Sequence, residues 1–278
     1  ASGAGACSGG KLYSCAVFQL YGFFAVGITN RLDLFQNLRM PGICKHTFKA
    51  IETLFTCLCQ VGRVENPVGI EQHSEKLADF QASVFAVLSR YFQQAEAVQQ
   101  LGGKKPTHIF LQAGVGAMSG ALAAFFRDIY GFEPKIVIVE PDKADCFYHT
   151  AKADDGNIHA VGGALDTIMA GLACGEPCTI GWDLLRYCAD AFISMEDTVA
   201  ANGMRIMATP LGKDTKVTSG ESGAAGFGAV AEICRNYPQI KTDLAIDENS
   251  IVLCFSTEGA TDVENYRNIV WYGKWADR

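Results

Sequence analysis

Thr107-His108-Ile109-Phe110-Leu111-Gln112-Ala113-Gly114-Val115-Gly116-Ala117-Met118-Ser119-Gly120 reads as a buried strand that runs into a glycine-rich turn and then a helix. Glycines let a backbone approach an anion closely, so that several N–H groups can converge on its oxygens. The N-terminus of the following helix adds roughly half a positive charge at the same place. The stretch therefore predicts a phosphate cradle at a strand end, and a phosphorylated ligand for it.

Outward from this stretch, apolar runs of strand length alternate with helical patterns, as in a parallel sheet covered by helices. Strands are expected at Thr107–Gln112, Lys135–Glu140, Met204–Ala208 and Ile251–Ser256. Helical stretches are expected around Ala117–Ile129, Asp166–Leu172, Trp182–Ala189, Ser194–Asn202 and Ser222–Arg235. Ligands of open α/β sheets gather at the carboxyl ends of the strands. Those ends are the loops Ala113–Gly120, Glu140–Asp145, Ser219–Gly223 and Thr257–Asp262.

Composition sets limits on function. The 278 residues are 49% apolar and carry 23 basic against 30 acidic side chains, a net charge of -7. That is enough core for a globular protein, and it argues against a nucleic-acid or anionic-membrane partner. The apolar run Cys15–Ile28 falls short of the roughly 20 residues a membrane span needs, and it has no clear signal-peptide cleavage site. The 11 cysteines sit singly in apolar runs such as Ile251-Val252-Leu253-Cys254-Phe255. They read as reduced thiols of a cytoplasmic protein rather than as a disulfide framework. Neither Cys57-x-Cys59 nor Cys174-x-x-x-Cys178 completes a metal-ligand pattern, so no metal is expected. Around Ser222 the residues fall short of a nucleophile elbow, which sets a hydrolase aside.

Residues 1–94 differ in character, with net charge +2 against -9 for the remainder and nine of the 17 phenylalanines. The opening Ala1-Ser2-Gly3-Ala4-Gly5-Ala6 reads as a flexible leader or an expression scar, and Ser74–Gln100 reads as a helix.

The loop Gly114-x-Gly116-x-x-x-Gly120 is one spacing away from the dinucleotide fingerprint, and Glu140 falls where such a site places a carboxylate on the ribose. Loop and Glu140 together leave a cofactor phosphate and a dinucleotide both open. Three further motifs follow in order: Val139-Glu140-Pro141-Asp142-Lys143-Ala144-Asp145, Ser219-Gly220-Glu221-Ser222-Gly223-Ala224 and Ser256-Thr257-Glu258-Gly259-Ala260-Thr261-Asp262. With Thr167-Ile168-Met169-Ala170-Gly171-Leu172-Ala173-Cys174-Gly175-Glu176-Pro177 and Val270-Trp271-Tyr272-Gly273-Lys274, they make the chain from about Ala95 to Trp275 resemble the C-terminal half of the diaminopropionate ammonia-lyases. These are pyridoxal 5'-phosphate (PLP) enzymes of the tryptophan synthase β-subunit type, fold type II.

The resemblance implies half of a three-layer α/β/α large domain with a mostly parallel sheet. It implies PLP as cofactor, a small amino acid as substrate, and α,β-elimination of ammonia from 2,3-diaminopropionate to give pyruvate. Ala113, Gly114, Val115, Gly116, Ala117 and Met118 would hold the PLP phosphate. Ser256, with Thr257 beside it, matches the hydroxyl position at the pyridine nitrogen; without the resemblance it reads as a strand-end hydroxyl capping backbone. Glu221 would face the cofactor from its loop, or else serve as a helix N-terminal carboxylate favoured by the macrodipole. Glu140 and Asp142 read as structural or substrate-side.

The chemistry needs a Schiff-base lysine. His46-Thr47-Phe48-Lys49-Ala50 echoes the family's Phe-Lys pair, which makes Lys49 the candidate against a reading as a solvated surface lysine. Elsewhere residues 1–94 do not resemble the family's first half, and are too few to contain it. They read as an unmatched segment, either an unrelated module docked on the sheet edge or poorly ordered chain such as a wrongly framed translation, with 95–278 as the PLP-binding domain. An uncovered parallel edge would promote a homodimer. Two alternatives stand beside the lyase: a catalytically silent relative that keeps the phosphate cradle, and a dinucleotide-dependent oxidoreductase.

Overall fold

Among the described residues, five parallel strands form one sheet in the order β1-β5-β2-β3-β4, namely β1 (Tyr13–Ala16), β5 (Val252–Ser256), β2 (His108–Gln112), β3 (Lys135–Pro141) and β4 (Ala191–Met195). The computed structural model describes residues 13–16 and 96–276. Lys49 lies outside the described residues, as does the expected helix over 74–100 except for residues 96–100, which are helical.

Pleating sends alternate side chains to opposite faces, and the apolar runs fill both. Ile109, Leu111, Ile136, Ile138, Leu253 and Phe255 point to one face. There they pack under α1 (Ala117–Tyr130) and α3 (Thr179–Cys188) through Leu122, Phe126 and Leu185. Phe110, Val137, Val139, Val252 and Cys254 point to the other face. They meet Ala225, Ala229, Val230 and Ile233 of α5 (Glu221–Asn236) and Ala200 of α4 (Asp197–Ala208). The layers are therefore helix, sheet, helix, as expected. Helices α4 and α5 cross almost backbone to backbone: a Cβ at Gly203 would lie 2.9 Å from Gly228 Cα.

Connectivity places the site. From β2 the chain steps outward through β3 to β4, then returns across the sheet to β5 on the other side of β2. The order reverses between β2 and β5, and the crevice beyond the carboxyl ends of such a pair is where open α/β sheets bind ligands. The glycine loop follows β2, and Ser256 ends β5.

Three expected elements are corrected. Met204–Ala208 is the end of helix α4 and not a strand; Ala200, Ala201, Met204, Met207 and Ala208 are buried at spacings of one, three and four, a helical stripe. The strand in this region is β4, which takes Ser194 and Met195 from the helix expected at Ser194–Asn202. Asp166–Leu172 contains only a single 3-10 turn, Ala170–Leu172. Three helices went unread: α2 (Cys146–Ala153), α6 (Pro238–Asp243) and α7 (Val263–Val270). Among the described residues no helix is long and apolar enough to cross a membrane.

Candidate functional site

Ala113 is the last residue held by the sheet, its N–H donating to Val139 O at 3.0 Å. Beyond it the loop is shaped by close approach. A Cβ at Gly114 would lie 3.0 Å from Gly171 O, and one at Gly116 would lie 2.1 Å from Phe147 Cζ. Gly116 also has φ +85°, the left-handed region that favours glycine. Val115 O accepts from Cys178 N at 3.0 Å, which ties the loop to the start of α3.

Helix α1 then starts at Ala117 with no side-chain cap and no acidic residue in its first turn. The first amides of a helix have no partner within it. Among the described residues no acceptor pairs with the amides of residues 114–119. Unpaired amides, the positive end of a helix and a backbone left open by glycines are chemically suited to an anion. The structure thus brings the expected residues Ala113 to Met118 together in one turn.

Across the strand-order reversal, Ser256 ends β5 and Thr257 follows it. Ser256 Oγ donates to Ser219 Oγ at 2.8 Å. Gln112, the residue before the cradle, donates from Nε2 to Phe255 O at 2.8 Å and to Thr257 Oγ1 at 3.1 Å, so one side chain ties the two ends of the crevice. Gln112 Oε1 is buried with no partner among the described residues. The Ser219–Gly223 loop is bound to the β5 loop as well: Gly220 N donates to Glu258 O at 2.8 Å and Ser222 N to Glu258 Oε2 at 2.9 Å. Ser222 Oγ accepts from Gly171 N at 3.1 Å, which pins the 3-10 turn beside Gly114. Behind that turn Asp197 accepts from Thr167 Oγ1 and from Ile168 N.

The carboxylates are placed differently from one another. Glu221 starts α5, 7% exposed, and accepts from Asn265 Nδ2 at 2.6 Å; burial raises its pKa, helped by Glu258 and Asp262. Glu140 is fully buried and accepts from the amides of Phe147 at 2.9 Å and Tyr148 at 2.7 Å, closing the N-terminus of α2. Burial pushes its carboxyl up to about 8 against the pull of those amides. Both oxygens are engaged, so Glu140 is not free to hold a ribose, and the structural reading of this residue is the one its contacts support. Asp142 forms an exposed pair with Lys143 at 2.6 Å. Among the described residues no group of three metal-ligating side chains is assembled.

Sequence reasoning passed over Gln112 and Ser219 as site residues. A polar residue closing an apolar strand was the available signal for Gln112. For Ser219 it was a serine before a glycine in a loop already named.

The family described as "Pyridoxal-phosphate dependent enzyme" matches residues 83–247. The chain is 50% identical over 187 residues to the diaminopropionate ammonia-lyase of Escherichia coli strain K12, covering 65% of this chain and 46% of that protein. It thus spans about half the length of the curated relatives it matches. The E. coli enzyme in complex with an aminoacrylate-PLP azomethine intermediate superposes with TM-score 0.62 at 46% identity, over 67% of this chain and 48% of that one. Its complex with D-serine gives TM-score 0.60 at 46% identity, over 66% and 46%.

Proposed function

Because the chain belongs to the family of pyridoxal-phosphate dependent enzymes, we propose that it binds PLP between β2 and β5 and serves the elimination of ammonia from 2,3-diaminopropionate. The observation that carries this is the row of amides at residues 114–118 that have no partner among the described residues, after β2, with Ser256 ending the adjacent strand β5 at the reversal of strand order. When bound, PLP supplies a carbonyl for an amino group and a conjugated ring that draws electrons from the substrate's α-carbon.

The chain's own residues have distinct tasks. Amides 114–118 and the start of α1 hold the phosphate. The 3-10 turn at Ala170–Leu172, fixed by Ser222 and Asp197, walls the cradle on its Gly114 side. Ser256 offers a neutral donor to the ring nitrogen, and Gln112 holds Thr257 beside it. A hydroxyl in place of a carboxylate leaves that nitrogen unprotonated and the ring a weaker electron sink. That suits β-elimination, in which the leaving group departs before charge must be stored. Glu221 remains in the proposal as the carboxylate facing the site from the α5 end.

Residues 95–278 form the cofactor-binding domain in this reading, and Lys49 is the candidate for covalent attachment. The half-buried outer strand β4 supports pairing with a second copy as a homodimer. Cys146, Cys174, Cys178, Cys188 and Cys254 form no disulfide, which supports a cytoplasmic setting. The dinucleotide alternative loses its carboxylate, since Glu140 caps α2.

The test is the absorbance spectrum of the full chain with added PLP, then borohydride reduction, peptide mapping and a pyruvate assay with diaminopropionate. A reducible band mapped to Lys49 with pyruvate release is expected. PLP bound without a lysine adduct or turnover means a silent relative; no binding at all overturns the cofactor assignment.

A further inference from the structure

Ser219 is fully buried and lies 37 residues before Ser256 in the chain, yet their hydroxyl oxygens are 2.8 Å apart. That is the ordinary length of a good O–H···O bond. The other acceptors near Ser219 Oγ are Gly220 O at 3.3 Å and Glu258 O at 3.4 Å, both long. Ser256 Oγ donates to Ser219 Oγ, whose own proton faces these two longer acceptors, so the short contact is between the two serines.

The surroundings are shaped around this hydroxyl. A Cβ at position 223 would fall 2.7 Å from Ser219 Oγ, so glycine there leaves the room it occupies. The loop carrying Ser219 is held to the loop after Ser256 by Gly220 N on Glu258 O and by Ser222 N on Glu258 Oε2. Both ends of the serine pair are thereby fixed relative to each other.

A hydroxyl has one proton and two lone pairs. When the proton of Ser256 turns to an acceptor in the crevice, its oxygen loses nothing, because Ser219 can rotate and donate along the same 2.8 Å line. A hydroxyl that receives such a bond is a stronger donor in turn. We propose that Ser219 is a positioning residue that aims Ser256 at the ring nitrogen of the cofactor and strengthens that hydrogen bond. This rests on the PLP reading above. Ser219 itself, having no exposed surface, touches neither cofactor nor substrate.

The experiment compares two ligands on the full chain by calorimetric titration. One is pyridoxine 5'-phosphate, which has the ring nitrogen but no aldehyde and so forms no lysine adduct. The other is its carbocyclic analogue, with C–H in place of that nitrogen. For Ser219→Ala the expected result is about five-fold weaker binding of the nitrogen ligand, the loss of roughly one hydrogen bond. Affinity for the carbon analogue should stay unchanged, and Ser219→Ala should add nothing in a Ser256→Ala background. Equal weakening of both ligands, or of neither, overturns the proposal. Ser219→Cys, close in shape with a poorer donor, is measured in parallel and must show the same selective loss; if Ser219→Ala does not fold, it decides alone. Wild-type chain that binds neither ligand sinks the PLP reading, and the role of Ser219 with it.

Discussion

Gly116→Ala should destabilise the chain through two separable causes. At φ +85° an alanine pays about 1–2 kcal/mol for the left-handed backbone. Its Cβ would also sit 2.1 Å from Cζ, 2.8 Å from Cε2 and 3.0 Å from Cε1 of Phe147. That ring is fully buried and packs against Trp182 with centroids 6.4 Å apart, so it cannot simply swing away. Overpacking of this kind costs about 1–3 kcal/mol. The stiffer unfolded chain returns roughly 0.4–1 kcal/mol. The net expectation is a loss of about 2–4 kcal/mol, a fall in Tm of roughly 5–15 °C for a domain of this size.

Phe147→Leu separates the causes, because it deletes the three ring atoms in the clash while leaving an apolar side chain. Alone it should cost about 1–2 kcal/mol. In its background the added cost of Gly116→Ala should shrink to about 1 kcal/mol, the dihedral part. Four melting curves, one for each corner of this double-mutant cycle, measure the coupling. A Gly116→Ala penalty that is the same in both backgrounds would refute the ring contact as its cause. A penalty near zero would refute the loop conformation itself.

Asp197→Ala frees Thr167 and the Ile168 amide, and with them the turn beside Gly114; it should cost about 1–2 kcal/mol of stability and weaken PLP binding. A melt paired with a PLP titration checks this, and unchanged affinity would show that the turn does not wall the cradle. Glu140 gives a pH dependence of definite sign. Its folded pKa, raised from 4.5 to about 8, means the folded state holds the proton more tightly than the unfolded chain does. Its contribution is complete below about pH 4.5 and is lost as pH rises through about 8. Glu140→Gln cannot ionise, so its Tm should fall less than that of the wild type between pH 5 and 8, even though one amide loses its acceptor. Parallel Tm–pH curves for the two proteins would contradict the assignment.

The layered fold was legible because Ile109–Leu111, Ile136–Val139 and Val252–Phe255 are unbroken apolar runs, the mark of strands covered on both faces. β4 was not, because an outer strand half-buried along Ala191–Ser194 needs no such run. Met204-Arg205-Ile206-Met207-Ala208 has the length and apolarity of a strand, and five residues are too few for the helical period to show. The glycine turn after β2 could be read because its shape is set by local backbone. The bonds that tie the crevice together could not: Gln112 to Thr257 and Ser219 to Ser256 join residues far apart in the chain, and only the folded sheet brings them together. The structural role expected for Glu140 could not be read in detail for a similar reason. Its place matched a ribose carboxylate, and nothing in Cys146-Phe147-Tyr148 announced the helix whose amides take up its oxygens.

In the proposed function the turn from Ala113 to Met118 grips a cofactor phosphate. The most direct test is the melting temperature of the full chain against increasing concentrations of PLP and, separately, of pyridoxal without its phosphate. A ligand that binds only the folded state raises Tm by mass action, so PLP should give a concentration-dependent rise and pyridoxal almost none at the same concentrations. Equal responses to the two, or no response to PLP, would contradict the claim.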